Sequence, residues 1–152
     1  MRLLRWFRGW RLGLMAGLLV AIALFGYVLP RSAGDRFARV LIHLNLIEAQ
    51  TFLCPDTNLG QVASLFGGEN TVGAWLAQQL QRGIQIPGWA EVANNLSLES
   101  TYNPFTGAYT VSYVMQRTLE IGGFQIQGGV KTPAIALTVR RLTPISFCLA
   151  VM

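Results

Sequence analysis

From Leu12 to Pro30 no position carries a charge, and 15 of these 19 residues are apolar, with no polar face at any period. As a helix, the stretch ahead of Pro30 measures about 27 Å, enough to cross the hydrocarbon of a bilayer. Beyond Pro30 the pattern becomes amphipathic. A short polar link, Arg31 to Asp35, ends in a candidate N-cap at Asp35, after which Phe37, Val40, Leu41, Leu44 and Ile47 recur at helical spacing. This predicts a helix from about Arg36 to Phe52, stopping before Cys54-Pro55 because the residue before proline avoids helical geometry. A second short helix is expected over Asp56 to Phe66, capped by Asp56 or Thr57 and stopped by Gly67-Gly68. A third is expected from Asn70 or Thr71 to Gly83, with Val72, Trp75, Leu76 and Leu80 as its apolar face.

From Ile84 the texture changes to alternating or β-branched runs broken by Gly, Pro and Asn. Strands are predicted at Asn95 to Tyr102, Ala108 to Glu120, Phe124 to Gln127, Ala134 to Arg141 and Ser146 to Val151. Asn103-Pro104-Phe105-Thr106-Gly107, Gly122-Gly123 and Gly128-Gly129 read as the turns between them. Helices first and antiparallel strands afterwards give an α+β fold: an N-terminal transmembrane helix continuing into amphipathic helices packed on a four- to five-stranded antiparallel sheet. The chain thus divides into three regions: a basic leader over 1–11, a membrane helix over 12–30 and an exported α+β domain over 31–152.

Composition supports that division. The chain of 152 residues is 52% apolar and 12% charged, and its net charge of +5 owes much to Arg2, Arg5, Arg8 and Arg11 ahead of the apolar run. From Arg31 onward eight basic residues face seven acidic ones, so the basic excess marks topology and not a nucleic-acid partner. Arginines before an apolar span keep that end in the cytoplasm and send the chain beyond the span across the membrane. Span length favours a retained anchor, while Pro30 and then Ser32-Ala33-Gly34 also suit a cleaved signal peptide.

Cys54 and Cys148 both fall on the exported side, where an even cysteine count suggests one disulfide. Gly13, Gly17 and Ala21, four residues apart, form a small-residue stripe on which another membrane helix can pack. Catalytic chemistry has little to stand on. His43 is the single histidine and has no ligand partner at metal spacing; there is no nucleophile elbow, and the seven acids are scattered. We therefore expect no enzyme activity, no cofactor and no metal. Trp75, Trp89, Tyr102, Phe105, Tyr109 and Tyr113 are either a ligand-facing aromatic set or core and cross-strand residues.

Several residue groups together resemble the type IV pilins, in particular the type IVb subunits and their minor-pilin relatives. Met1 to Gly9 is short and basic and ends in Gly9, similar to a prepilin peptidase site with Trp10 as the first mature residue. Pro30 lies about where pilins bend their long N-terminal helix. Asn103 to Val111 is similar to the segment that opens the pilin sheet, and Ile135 to Val151 with Cys148 to its closing strands and C-terminal cysteine. The chain departs from the family in having Trp10 where Phe is usual and Leu14 where a glutamate is usual. The resemblance thus implies a minor subunit of a type IV pilus or related secretion or conjugation apparatus. Its partners would be the membrane and other pilin-like subunits, met through the N-terminal helix and the Phe37, Val40 and Leu44 face. The implied location is the bacterial inner membrane, single pass, with the C-terminal domain in the periplasm or a surface filament. The alternatives from the residues alone are a bitopic inner-membrane protein whose periplasmic domain binds a protein partner, and an exported small hydrolase or binding protein.

Overall fold

The computed structural model describes residues 2–65 and 87–152; the expected third helix, with Trp75 and its cap and stop, lies outside them. Helix α1 (Arg2–Ala23) runs through one π-helical turn (Leu24–Val28) directly into α2 (Leu29–Ile42). One helix, Gly9–Ile42, is long and apolar enough to cross a membrane. The expected link at Arg31 to Asp35 is thus helical, and Asp35 is not a cap. Pro30 sits in the first turn of α2, where its fixed φ suits a helix, directly after the widened turn.

The expected single helix to Phe52 is two. Helix α2 ends in a Schellman arrangement, with Leu44 N–H donating to Leu41 O and Asn45 N–H to Val40 O, which puts Leu44 at a left-handed φ of 56°. Helix α3 (Leu46–Thr51) restarts on Asn45, whose side chain caps Glu48 N–H and donates to the Glu48 carboxylate. Helix α4 (Leu59–Leu65) opens on a reciprocal box between Asn58 and Gln61, so Asn58, not Asp56 or Thr57, is its cap. Helix α5 (Trp89–Asn95) occupies the start of what reads as sheet territory, entered through Gly88 at a φ of 78°.

The chain closes in an antiparallel sheet of four strands, ordered β1 (Leu96–Tyr102), β2 (Ala108–Met115), β5 (Ile135–Arg141) and β6 (Phe147–Val151). A separate hairpin, β3 (Leu119–Ile121) and β4 (Phe124–Ile126), turns on Gly122-Gly123, both at positive φ. The expected second strand is therefore interrupted after Met115, and among the described residues the main sheet has four strands. Its core face alternates along each strand. Tyr109, Val111 and Tyr113, Ile135, Leu137 and Val139, and Leu149 all bury against Phe37, Ala38, Leu41 and Ile42 of α2.

The β6 edge is covered from within the chain. Leu53 pairs with Leu149 as a parallel bridge, Cys54 N–H donates to Leu149 O and Leu149 N–H to Phe52 O. On the opposite face of β6 the sulfurs of Cys54 and Cys148 stand at bonding distance, 1.99 Å, closing a sequence separation of 94 residues. Beside them Asp56 pairs with Arg140 at 2.7 Å, and that guanidinium holds the exposed carboxyl below its usual range. A loop of this length restricts the unfolded chain by about 4 to 5 kcal/mol. Replacing both cysteines by serine should lower the denaturation free energy by about 2 to 5 kcal/mol in urea titrations, with wild type matching the variant under reductant. Equal midpoints with and without reductant would remove the bridge from the stability of the domain.

Candidate functional site

The sheet does not rest on α2 through apolar contact alone. A ladder of polar contacts runs along one stripe of the helix. Tyr27 packs its ring 6.0 Å from that of Tyr102, and one turn on Arg31 donates to Ser100 O at 3.1 Å and to the Tyr27 hydroxyl at 3.1 Å. Another turn on, Asp35 accepts from the Tyr109 hydroxyl at 2.7 Å and lies 3.9 Å from Arg31 Nε. Tyr113 reaches through the core to donate to Ala38 O at 3.1 Å, and Trp89 Nε1–H donates to Ile42 O. Residues 27, 31, 35, 38 and 42 share one face because they step by close to 3.6 residues.

Gly34, beside this stripe, permits a close approach. A Cβ there would stand 2.6 to 2.8 Å from carbons of the Tyr109 ring, and that ring is fully buried with its hydroxyl tied to Asp35. Burial, joined by the Asp35 contact, pushes the Tyr109 phenol well above its usual pKa; burial alone does the same to Tyr113. Burial also raises Tyr102, opposed by the nearby charge of Arg141.

At the start of α2 a second clamp comes from β5. Leu29 N–H bonds to Leu24 O across the π turn, so Phe25 O loses its α-helical donor, and the next residue along, Pro30, has no N–H. Arg141 fills this gap by donating to Phe25 O, with its guanidinium 5.2 Å from the centre of the Phe147 ring. The proline and the arginine are thus a pair: one removes a hydrogen bond and the other restores one.

The residues singled out in the sequence fall variously. Gly9 and Trp10 lie exposed on α1. A Cβ at Gly13 or Gly17 would meet nothing within 4 Å, so that stripe is open, with Ala21 half-buried at its end. The Phe37, Val40 and Leu44 face is not open: Phe37 is buried in the core, Val40 packs against it and Leu44 is half-buried in the helix stop. That face packs against the sheet of the same chain, while Ile47, expected beside it, is 84% exposed. His43 is exposed at the end of α2. Of the aromatic set's described members, Tyr109 and Tyr113 are core, Trp89 and Tyr102 half-buried clamps, and Phe105 is exposed at a turn.

Among the described residues no group of three or more His, Cys, Asp or Glu is placed to hold a metal ion. Compared with known protein families, with curated proteins and with solved structures, the chain matches none.

The raised phenols make the seam sensitive to alkali. A tyrosine pKa raised by folding adds stability that is whole below the unfolded value, about pH 10, and is lost as pH climbs above it. Tyr109 and Tyr113 should therefore ionise only together with loss of far-UV dichroism, seen as a steep absorbance step at 295 nm. Smooth ionisation of all four tyrosines around pH 10 with the dichroism unchanged would contradict a buried seam.

Proposed function

We propose that this chain is a pilin-like minor subunit of a type IV pilus or related secretion or conjugation apparatus, structural in role and not catalytic. The observation that carries the reading is the unbroken passage of the apolar helix into α2, with the sheet clamped along it. A long apolar helix fixed to a small α+β head can stand in a bilayer and leave it for a bundle of like helices without refolding the head. The basic leader ending at Gly9, the position of Pro30 and the cysteine in the last strand support the same reading. In this role the apolar span crosses the bacterial inner membrane once, with the N-terminus cytoplasmic and residues beyond Arg31 outside. Lateral contacts to other subunits then use the open stripe of Gly13, Gly17 and Ala21, since the α2 face is already occupied.

Trp10 and Leu14 favour a second reading, a bitopic inner-membrane protein whose periplasmic domain binds a partner, because both replace residues that pilins use at the start of the mature helix. Mass spectrometry of the mature N-terminus separates the two. Processing to Trp10, above all with a methylated amine, is the expected result. An intact Met1 would rule out prepilin cleavage and leave the bitopic protein, and a start at Asp35 or nearby would rule out both.

A further inference from the structure

We propose that the two hairpin tips at the α1 end of the sheet insert into the lipid interface, so that the head lies on the leaflet and is not held off it on a stalk. This rests on the reading of the apolar helix as a membrane span. The β1–β2 turn carries Phe105, 96% exposed, and the β5–β6 turn carries Leu142 and Ile145, 62% and 73% exposed. Neither turn, Asn103 to Gly107 or Leu142 to Ser146, holds a charged residue. Both are closed by their own hydrogen bonds, Gly107 N–H to Asn103 O at 2.9 Å and Leu142 N–H to Ser146 O at 3.0 Å, so they present their apolar side chains on rigid supports.

Their depth is set by the clamp. Arg141, the last residue of β5, donates to Phe25 O, and Phe25 lies six residues before Arg31, about 9 Å along the helix. If Arg11 marks the cytoplasmic edge, about 30 Å of hydrocarbon ends close to Arg31, so Phe25 O falls inside the outer edge. The β5–β6 turn is joined directly to Arg141 and cannot stand clear of the headgroups. At the other tip Tyr102, the last residue of β1, meets Tyr27 in the final turns of the apolar helix.

The surroundings match a leaflet in kind. Tyr27 and Tyr102 pair at this level with the Arg31 guanidinium over the Tyr27 ring, and Arg141 lies over the Phe147 ring, so this end of the sheet carries the aromatic and arginine side chains that suit the headgroup region. Asp35, the nearest acid on α2, is engaged by Tyr109 and Arg31 on the sheet side. Apolar tips ringed by aromatics and arginine, continuous with a membrane helix, fit lipid better than a polar protein surface.

The test uses the full chain in vesicles of phosphatidylethanolamine and phosphatidylglycerol, with one spin label at a time at Phe105→Cys or Ile145→Cys. Leu18→Cys in the span and Gln125→Cys on β4 are the lipid and water references, and the paired native cysteines take no label. Collision with dissolved oxygen and with a water-soluble nickel chelate is compared at each site. The expected result is oxygen contact at both tips close to that of Leu18 and nickel contact several-fold below that of Gln125. Nickel contact equal to that of Gln125 at the tips, with Leu18 shielded, would overturn the proposal and leave the span intact. Low contact with both reagents at the tips would mean protein cover, which also overturns it. Free nickel access at Leu18 would overturn the span and the proposal together. Phe105, Ile145 and Leu18 are exposed apolar side chains and Gln125 is exposed and polar, so the labels leave the core untouched.

Discussion

The close approach of α2 to the sheet at Gly34 is the constraint on which the rest of the architecture depends. Tyr109 lies in the space that any side chain at Gly34 would fill, and its hydroxyl is held by Asp35 one residue further on. A hydrogen bond to a charged group in such a place contributes about 1.5 to 3 kcal/mol, and its direction matters more than its size. It fixes both the spacing and the rotation of the helix against the sheet. With the rotation fixed, Arg31, Ala38 and Ile42 fall opposite Ser100, Tyr113 and Trp89, and the apolar helix leaves the head at one angle.

The same rotation explains how the chain tolerates a proline inside its longest helix. A proline normally leaves one carbonyl without a donor and crowds the turn before it. Here the turn widens into a π segment, and the guanidinium of Arg141 supplies the donor from a strand more than a hundred residues away. Such a repair is available only because the sheet already lies alongside. An arginine paired with a backbone oxygen and stacked on Phe147 is also a part of the fold that a charge count alone would assign to the solvent.

Much of the fold was legible in the sequence because it depends on local periodicity. The uncharged run, the amphipathic face of α2 and four of the strands emerge from spacing alone, and the two cysteines pair as an even count on one side suggested. The misses are physical. Leu44 ends α2 in a left-handed conformation that favours glycine, so nothing in its side chain announces the stop; the signal lay one residue later, in the Asn45 and Glu48 box, with a parallel in Asn58 and Gln61. Arg31 to Asp35 reads as a link because polar side chains suit solvent, whereas Arg31 and Asp35 in fact face the sheet. The seam was not legible at all. Its partners are 69 to 75 residues apart between α2 and the sheet, and no local pattern reports which tyrosine will meet which carbonyl.

Whether helix and head form one continuous rigid unit is read most directly by amide hydrogen exchange of the full chain in lipid nanodiscs. A single protected helix should extend from the apolar run through Pro30 to Ile42, with amides of residues 31–35 exchanging as slowly as those of Phe37 to Leu41. Fast exchange confined to residues 31–35, with protection on both sides, would show a flexible joint and contradict the seam on which the orientation of the molecule rests.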